Sequence, residues 1–210
     1  MADYHKYVFN SDARLFVGEF EELYKQDECG QFDSWHQDDL QPLNKQVLLN
    51  LLHQNFQNIL DIGCGKGALT NQLKNSNNNV LGIDISPTAI KIAKNRYQNI
   101  NFLTADVQKI DQLNAFLIEQ TEKIESKFDL IVIAECLSYI ENWRELIHLI
   151  SNYSQFIAIV LYIPQNPIGY VKSAEHLIEA VLQDYELKEF VSIMSSRSNI
   201  LFAESKKYNN

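Results

Sequence analysis

The sequence predicts an α/β fold with a doubly wound, mostly parallel sheet of seven strands. From residue 57 onward, short apolar runs alternate regularly with helical patterns of about ten residues. One apolar run is followed by closely spaced glycines, which is typical of a tight turn between a buried strand and a helix. The chain then ends in two alternating runs whose short polar connection allows only an antiparallel hairpin.

The residues before this alternation are expected to form a helical lead-in. Apolar residues recur at helical spacing at 15–23 and again at 47–52. We place a domain boundary after residue 45. Residues 1–45 are then an N-terminal helical lid or extension, and residues 46–210 are the main ligand-binding domain. A total of 210 residues, 46% of them apolar, is enough for one domain with a sizeable core.

Five parallel strands are predicted in the main domain, at 58–62, 79–84, 101–105, 128–134 and 156–163. Helices are predicted between and after them, at 67–75, 87–97, 111–120, 143–152 and 172–183. The closing hairpin is predicted at 187–194 and 199–204. Parallel strands joined by helices imply right-handed crossovers, so the carboxyl ends of all five strands lie at one edge of the sheet.

The charge balance restricts the partners. The formal net charge is −9, and residues 1–45 carry ten Asp or Glu against four Lys or Arg. Nucleic acids and anionic membrane surfaces both attract basic segments, so we expect neither as a partner. The sequence has no basic-then-apolar leader and no apolar run of about 20 residues, which predicts a cytoplasmic protein. Nothing in the sequence indicates an oligomeric state.

Cysteines and histidines show no metal-binding spacing. Cys29, Cys64 and Cys136 are far apart and form no CxxC pair, as expected for reduced thiols. The histidines form no ligand cluster either, so the sequence predicts no metal site.

Four carboxylates follow successive predicted strands, namely Asp61, Asp84, Asp106 and Glu135. A lone aspartate in such a position is most often a helix N-cap, and Asp84 and Asp106 could each serve in that way. In a parallel sheet, however, all four lie at one edge, around the glycine turn at 63–67. Four acids in register with one glycine turn favour a nucleotide-like ligand.

The residues alone leave the kind of nucleotide open. Gly63-x-Gly65-x-x-Ala68 satisfies a loose dinucleotide fingerprint, and Asp84 follows at the spacing expected for NAD. A pyrophosphate would gain little among so many carboxylates, whereas a cationic sulfonium suits their field. The acid before the turn, the acid after the third strand and the terminal hairpin also point away from NAD.

These motifs carry a resemblance to a known family. Residues 61–67 (DIGCGKG), 82–86 (GIDIS), 105–107 (ADV) and 128–132 (FDLIV) occur in order. Together they resemble the class I S-adenosylmethionine-dependent methyltransferases. The resemblance covers residues 45–205 and implies a Rossmann-like methyltransferase fold with S-adenosylmethionine as the cofactor.

The resemblance also implies roles for individual residues. The glycine turn would hold the methionyl part of the cofactor, Asp84 would bind the ribose hydroxyls, and Asp106 the adenine amine. The residues expected at the cofactor are Trp35, Asp61, Gly63, Cys64, Gly65, Asp84, Ile85, Asp106, Val107 and Glu135.

The expected reaction is methyl transfer to a nitrogen or oxygen atom of a small-molecule acceptor, for example a sugar-like one. Residues 134–139 lack the Asn/Asp-Pro-Pro-Tyr/Phe motif of enzymes that methylate DNA amines or protein glutamine. Two alternatives stay open. One is a nicotinamide-dependent oxidoreductase, and the other is a module that binds the cofactor without catalysis.

Three residues are candidates for the catalytic site. His36 is expected to face the acceptor, because histidine can take a proton near neutral pH. A histidine here could also be a surface residue before the next helix. Glu135 and Tyr139, after the fourth strand, are expected to wall the acceptor site together with Trp143, unless the aromatic residues are core.

Residues 32–40 are expected to fold over the cofactor edge and exclude water, with Trp35 near the ligand. An acidic lid of this kind would suit a cationic or hydroxyl-rich acceptor and repel a phosphate-rich one. The loop at 162–170 contains two prolines, a glycine and two tyrosines. We expect this loop to take part in acceptor selection.

Overall fold

The computed structural model describes residues 3–52 and 55–208. Its N-terminal segment, residues 3–42, contains a 3-10 turn (Asp3–Tyr7), β1 (Phe9–Asn10), β2 (Leu15–Phe16), α1 (Phe20–Glu28) and a second 3-10 turn (Ser34–His36). Helix α2 (Leu43–Leu51) follows and leads into the main sheet. The predicted boundary between residues 45 and 46 falls within α2.

The expected helical lead-in is only partly correct. Helices α1 and α2 form where apolar spacing predicted them, but Leu15 and Phe16 form a strand that pairs antiparallel with β1. Gly18 has a φ of +74°, so the chain turns there and the helix begins only at Phe20. The apolar spacing gave a wrong prediction here because Phe16 packs against Phe20 across this turn, with ring centroids 6.1 Å apart. Phe16 also packs against Phe9 of β1, at 5.9 Å.

Seven strands form one mixed sheet: β3 (Asn58–Ile62), β4 (Asn79–Asp84), β5 (Asn101–Thr104), β6 (Phe128–Ala134), β7 (Ser154–Tyr162), β8 (Tyr185–Ile193) and β9 (Ser198–Ser205). The remaining helices are α3 (Ala68–Leu73), α4 (Pro87–Arg96), α5 (Ile110–Lys123), α6 (Trp143–Ile150) and α7 (Ala174–Asp184). The predicted α/β fold with five parallel strands and a closing hairpin is confirmed.

The strand order in the sheet is β5-β4-β3-β6-β7-β9-β8. Strands β3 to β7 pair in parallel with their neighbours, and β9 pairs antiparallel with both β7 and β8. From β3, the chain adds β4 and β5 on one side of the sheet and then β6 and β7 on the other side. The strand order therefore reverses at β3. Open α/β sheets bind their ligands at such a switch point, beyond the carboxyl ends of the strands.

The core lies on both faces of the sheet, as the two-residue period of the strands dictates. In β3, Leu60 and Ile62 face the layer of α5, α6 and α7, whereas Ile59 faces the layer that includes α2 and α4. In β6, Ile131 and Leu130 divide between the two layers in the same way. Because the strands are buried on both faces, they appear in the sequence as continuous apolar runs.

The N-terminal segment lies across the carboxyl edge of the sheet and is tied to it at several points. Arg14 Nη2 donates a hydrogen bond to Asn166 Oδ1 at 2.9 Å, in the loop after β7. Glu21 of α1 accepts hydrogen bonds from Thr88 N–H at 3.1 Å and Thr88 Oγ1 at 2.7 Å, at the start of α4. A carboxylate at a helix N-terminus is favourable because the first N–H groups of the helix have no partner within it.

Among the described helices, none combines the length and apolar character needed to cross a membrane.

Trp143 begins α6 and is 2% exposed, within the layer formed with α5 and α7. Replacing it with alanine is expected to lower the free energy of unfolding by about 3–5 kcal/mol, because a large buried ring leaves a cavity. Urea denaturation followed by circular dichroism measures this change. Ile118→Ala on the exposed side of α5 is the control, and an equal loss in both variants would contradict the core assignment.

Candidate functional site

A cavity of about 810 Å³ opens at the carboxyl ends of β3 to β7. The sheet supplies its floor, with residues 61–64, 83–85, 105–108 and 134–136. The N-terminal segment, the start of α2 and the loop at 164–169 supply its walls. The four predicted carboxylates, Asp61, Asp84, Asp106 and Glu135, all line this one cavity.

The glycine turn follows β3 at the floor of the cavity. Gly63 has a φ of +74°, and a Cβ there would lie 2.5 Å from Cys136 Sγ. The position therefore requires glycine on grounds of both conformation and space. The N–H groups of Gly63 and Cys64 donate to the carbonyl oxygen of Ile83 at 2.8 and 3.0 Å, which fixes the turn against β4.

Gly65, the next glycine of the turn, lies beneath the N-terminal segment. It does not line the cavity, and a Cβ on it would collide with the side chains of Gln37 and Tyr24. The N-terminal segment thus covers this glycine, and its predicted contact with the cofactor stays a prediction. Its N–H still serves the site, since it donates to Asp84 Oδ2 at 2.9 Å.

Asp84 ends β4 and is buried in the cavity floor. Besides the bond from Gly65, its Oδ1 accepts a hydrogen bond from the Ser86 N–H at 2.9 Å. Ser86 itself is the N-cap of α4, so Asp84 does not have the capping role that the sequence also allowed. Burial raises the pKa of Asp84 to about 6. Each carboxylate oxygen can accept a second hydrogen bond, so the group can hold the turn and still bind hydroxyls.

Asp61, one strand away, is also buried and lines the cavity. Its Oδ2 accepts a hydrogen bond from Thr70 Oγ1 at 2.6 Å, which fixes the carboxyl against α3. Burial raises the pKa of Asp61 to about 6 as well. A cationic ligand in this cavity would favour the ionised form of both aspartates.

Asp106 and Val107 follow β5 and lie, with Ile85, in another part of the cavity lining. Asp106 Oδ1 accepts a hydrogen bond from the Gln108 N–H at 3.1 Å. Helix α5 begins after Lys109 and has no side-chain cap, so Asp106 is not the helix N-cap that its position also suggested. Its Oδ2 lies 3.4 Å from Lys109 Nζ, so the carboxylate forms an ion pair and has no capping role.

Glu135 follows β6 with a φ of +61°, a left-handed conformation that non-glycine residues rarely adopt. Its Oε1 accepts a hydrogen bond from Asn44 Nδ2 at 2.8 Å, and its Oε2 accepts one from the Tyr162 N–H at 2.7 Å. Burial raises the pKa of this carboxyl. Strained residues that the surrounding structure holds in place are concentrated at functional sites.

Trp35 and Tyr139 meet in an aromatic cluster above the cavity. Their ring centroids are 6.3 Å apart, and Tyr139 also lies 5.4 Å from Phe20 and 5.8 Å from Phe9. All four rings line the cavity. Burial raises the pKa of the Tyr139 hydroxyl, which keeps it neutral at physiological pH. Trp143, by contrast, lies in the core and not in the cavity wall.

His36 lies at the cavity rim, with a φ of +45° next to Trp35 at +53°. Its side chain is 72% exposed, and its Nδ1 lies 3.4 Å from Asp33 Oδ2. Two consecutive left-handed residues turn the chain so that Trp35 faces inward while His36 remains largely in solvent. The arrangement therefore places Glu135 deeper in the cavity than His36.

A buried ion-pair network fastens the N-terminal segment to the glycine turn, and sequence reasoning missed it. Lys66 Nζ is 3.0 Å from Asp27 Oδ2 and 2.7 Å from Asp33 Oδ1, and the lysine is 2% exposed. The Lys66 N–H also donates to Gln37 Oε1 at 2.7 Å. The sequence did contain a signal for this network. A lysine stands between two glycines of the turn, and residues 1–45 have a strong excess of acidic residues that could pair with it.

The arrangement fits S-adenosylmethionine. The cavity combines a glycine turn that leaves no room for a Cβ at residue 63 with carboxylates after successive strands. Asp84 and Asp106 would bind the nucleoside, and Asp61 and the turn the methionyl part. Among the residues at 3–52 and 55–208, no group of three or more His, Cys, Asp or Glu is placed to hold a metal ion.

Comparison with known proteins agrees with this geometry. A family model described as a methyltransferase domain matches residues 60–154. Protein 235L of Invertebrate iridescent virus 6, which is named a methyltransferase, is 33% identical over 117 residues, 54% of this chain and 40% of the viral protein. The chain thus spans less than half the length of this relative. The ubiquinone biosynthesis O-methyltransferase of Hydrogenovibrio crunogenus is 23% identical over 77% of this chain and 70% of its own length.

A solved structure has the same fold. It is the N-methyltransferase NodS from Bradyrhizobium japonicum in complex with S-adenosyl-L-homocysteine, with a TM-score of 0.66 and 23% identity. The match covers 87% of this chain and 98% of NodS. The chain is therefore similar to methyltransferases in sequence over residues 60–154 and has the fold of NodS. The predicted fold is confirmed, the methyltransferase domain match supports the predicted resemblance, and the roles of single residues stay predictions.

Asp84→Asn is expected to weaken binding of S-adenosylmethionine about tenfold or more, because two ribose hydroxyls lose a charged acceptor. The carboxylate is the binding form, so wild-type affinity should fall as the pH is lowered through about 6. The amide that replaces the carboxyl does not titrate, so the variant should show a weaker pH dependence. Calorimetric titration at several pH values measures both effects. Equal affinity and an equal pH profile in the two proteins would refute the assignment.

Lys66→Met is expected to loosen the N-terminal segment, because two aspartates lose their buried cation. Trypsin should then cut faster after Arg14 and Lys25, as read by mass spectrometry. Lys91→Met is the matched control, since Lys91 pairs with Glu28 of α1 at 2.8 Å on the exposed surface. If both variants are cut at the same rate, the buried network does not hold the segment.

Proposed function

We propose that this protein transfers a methyl group from S-adenosylmethionine to a nitrogen or oxygen atom of a small-molecule acceptor. The observation that carries the proposal is the shared cavity. Its floor holds the glycine turn and the four carboxylates, with Glu135 among them, and its walls include Tyr139 and the loop at 164–169. Two ligands can therefore meet in one cavity.

The cofactor supplies a methyl group already activated by its sulfonium. The protein then contributes mainly proximity and orientation, which lower the barrier by about 7–11 kcal/mol in well-oriented models. Asp84 and Asp106 fix the nucleoside end of the cavity, and the glycine turn fixes the other end. The aromatic cluster excludes water from the side where the acceptor enters.

The acceptor belongs to the small-molecule class. Relatives include an enzyme named for O-methylation in ubiquinone biosynthesis and one named as an N-methyltransferase, which supports both acceptor atoms. The rings of Phe9, Phe20 and Tyr139 line the cavity, and in this proposal they form its acceptor side. This lining favours an acceptor with an apolar body over an unsubstituted sugar.

Residues 1–45 act as a lid in this proposal. The described part of this segment reaches over the glycine turn through Gln37 and Tyr24 and into the cavity through Trp35. Its attachment to Lys66 couples it to the turn that holds the cofactor. A ligand of nucleotide size has to pass between this segment and the sheet edge, so opening and closing accompany each turnover.

Calorimetry and an activity assay together test the function. S-adenosylmethionine should bind and NADH should not, which separates a methyltransferase from a nicotinamide-dependent oxidoreductase. Formation of S-adenosylhomocysteine with a panel of small amines, phenols and alcohols then shows catalysis. Cofactor binding without turnover for any acceptor would instead support a module that binds the cofactor only.

The two tryptophans provide a direct readout of the cavity. Trp35 lines the cavity and Trp143 is buried in the core, so only Trp35 should report on the cofactor. We expect intrinsic fluorescence to change on addition of S-adenosylmethionine in wild type and in Trp143→Phe, and not in Trp35→Phe. A response that survives in Trp35→Phe would place the cofactor away from this wall.

A further inference from the structure

The acceptor half of the cavity has a composition that distinguishes between acceptor chemistries. It lies beside Glu135, with Phe9, Tyr139 and the loop at 164–169 around it. This half is built from two distant parts of the chain, which the bond from Arg14 to Asn166 joins at 2.9 Å. The loop is further fixed because the Tyr170 N–H donates to the carbonyl oxygen of Ser138 at 2.7 Å.

Glu135 is aimed and held rigidly. Asn44 and the backbone of Tyr162 each donate to one of its oxygens, and its left-handed backbone is part of the same arrangement. Each oxygen retains the capacity to accept one more hydrogen bond. A ligand that donates N–H or O–H groups can therefore bind to a carboxylate whose position is already fixed, at little entropic cost.

Most of the charged side chains that line the cavity are acidic. Within the described part of the chain, the acidic side chains in its lining are Asp39, Asp61, Asp84, Asp106 and Glu135, and the one lysine there is Lys45. Lys45 Nζ donates to the carbonyl oxygens of His36, Gln37 and Asp39. Its charge also acts on Glu135, whose pKa it lowers in opposition to burial, but five acidic side chains in the lining outnumber it. The field in the cavity therefore attracts cations and opposes carboxylate or phosphate groups.

The aromatic cluster adds to this preference. Phe9, Phe20, Trp35 and Tyr139 line the same cavity as Glu135. Aromatic faces attract ammonium groups through their quadrupole, and they gain nothing comparable from a neutral hydroxyl. A carboxylate together with several rings is a suitable environment for an amine attached to an apolar body.

We propose that the methyl acceptor is a primary or secondary amine on an apolar, ring-sized body, and that Glu135 is the catalytic residue that binds it. This inference rests on the proposed methyl transfer. The ammonium form of the acceptor docks on Glu135 and gives one proton to the carboxylate. The resulting amine nitrogen attacks the methyl carbon, and a new carbon–nitrogen bond forms.

The remaining atoms and electrons balance without another reactant. The carbon–sulfur bond breaks, and its electron pair stays on the sulfur, which leaves S-adenosylhomocysteine. The nitrogen carries the positive charge as a methylated ammonium. Glu135 then releases its proton to water. Burial, which raises the pKa of Glu135, helps the carboxylate to accept this proton.

Matched acceptors test the chemistry. We would use tryptamine, tryptophol and indole-3-propionate, together with the phenyl series phenethylamine, phenylethanol and phenylpropionate. Binding is measured by calorimetry on the full chain loaded with S-adenosylhomocysteine, and turnover by S-adenosylhomocysteine formation. The amines should bind about tenfold or more tighter than the matched alcohols, and the carboxylates most weakly.

Glu135→Gln tests the residue, because it keeps the shape and removes the charge. It should abolish the preference for amines over alcohols and lower kcat for amines by about 10²–10⁴-fold. Glu141→Gln, on the exposed surface and outside the cavity lining, should behave as wild type.

The outcomes separate the two proposals. Failure of the wild-type protein to bind S-adenosylmethionine overturns the proposed function itself. Normal cofactor binding with equal affinity for amines and alcohols overturns only the amine proposal. An amine preference that persists in Glu135→Gln overturns the role of Glu135.

Discussion

The buried ammonium of Lys66 is the interaction on which the site depends. It lies in the glycine turn, and its two partners, Asp27 and Asp33, belong to the N-terminal segment. A buried charge of this kind is tolerated only when it is closely paired, so the turn and the segment have to be assembled together. Through this pairing, a polar stretch of the chain becomes part of the cavity wall.

The same pairing explains why the glycine at position 65 serves the site indirectly. Gln37 follows Asp33 closely in the chain and is brought over the turn, where it accepts from the Lys66 N–H and donates to Tyr24. The glycine below them provides room for this cover. Its N–H then donates to Asp84, so the covering segment and this carboxylate accept hydrogen bonds from two successive residues, Lys66 and Gly65.

Periodicity and spacing were sufficient to predict the main domain. Each strand of the sheet forms where an apolar run predicted it, because strands buried on both faces leave a strong signal in the sequence. Asp61, Asp84, Asp106 and Glu135 were predicted at one edge, and all four line the cavity, because parallel topology alone brings strand ends together.

The sequence was less informative about contacts between distant segments. Nothing local to Asn44, Gln37 or Asp27 indicates that they meet Glu135, Lys66 or the glycine turn. Phe16 was assigned to a helix because it is four residues before Phe20, which is helical spacing. In the structure the two rings pack across a turn, and spacing alone cannot distinguish this contact from helical packing. The left-handed conformation of Trp35 and His36 likewise depends on tertiary contacts that no dipeptide encodes.

The position of β9 between β7 and β8 has a consequence for biosynthesis. Strand β7 pairs with β6 on one side and with β9 on the other, and residues 163–197 are made between β7 and β9. At about 5–20 residues per second, the ribosome needs several seconds to deliver the missing strand. During that time the apolar edge of β7 has no partner, which makes the nascent chain a candidate for chaperone binding or misassociation.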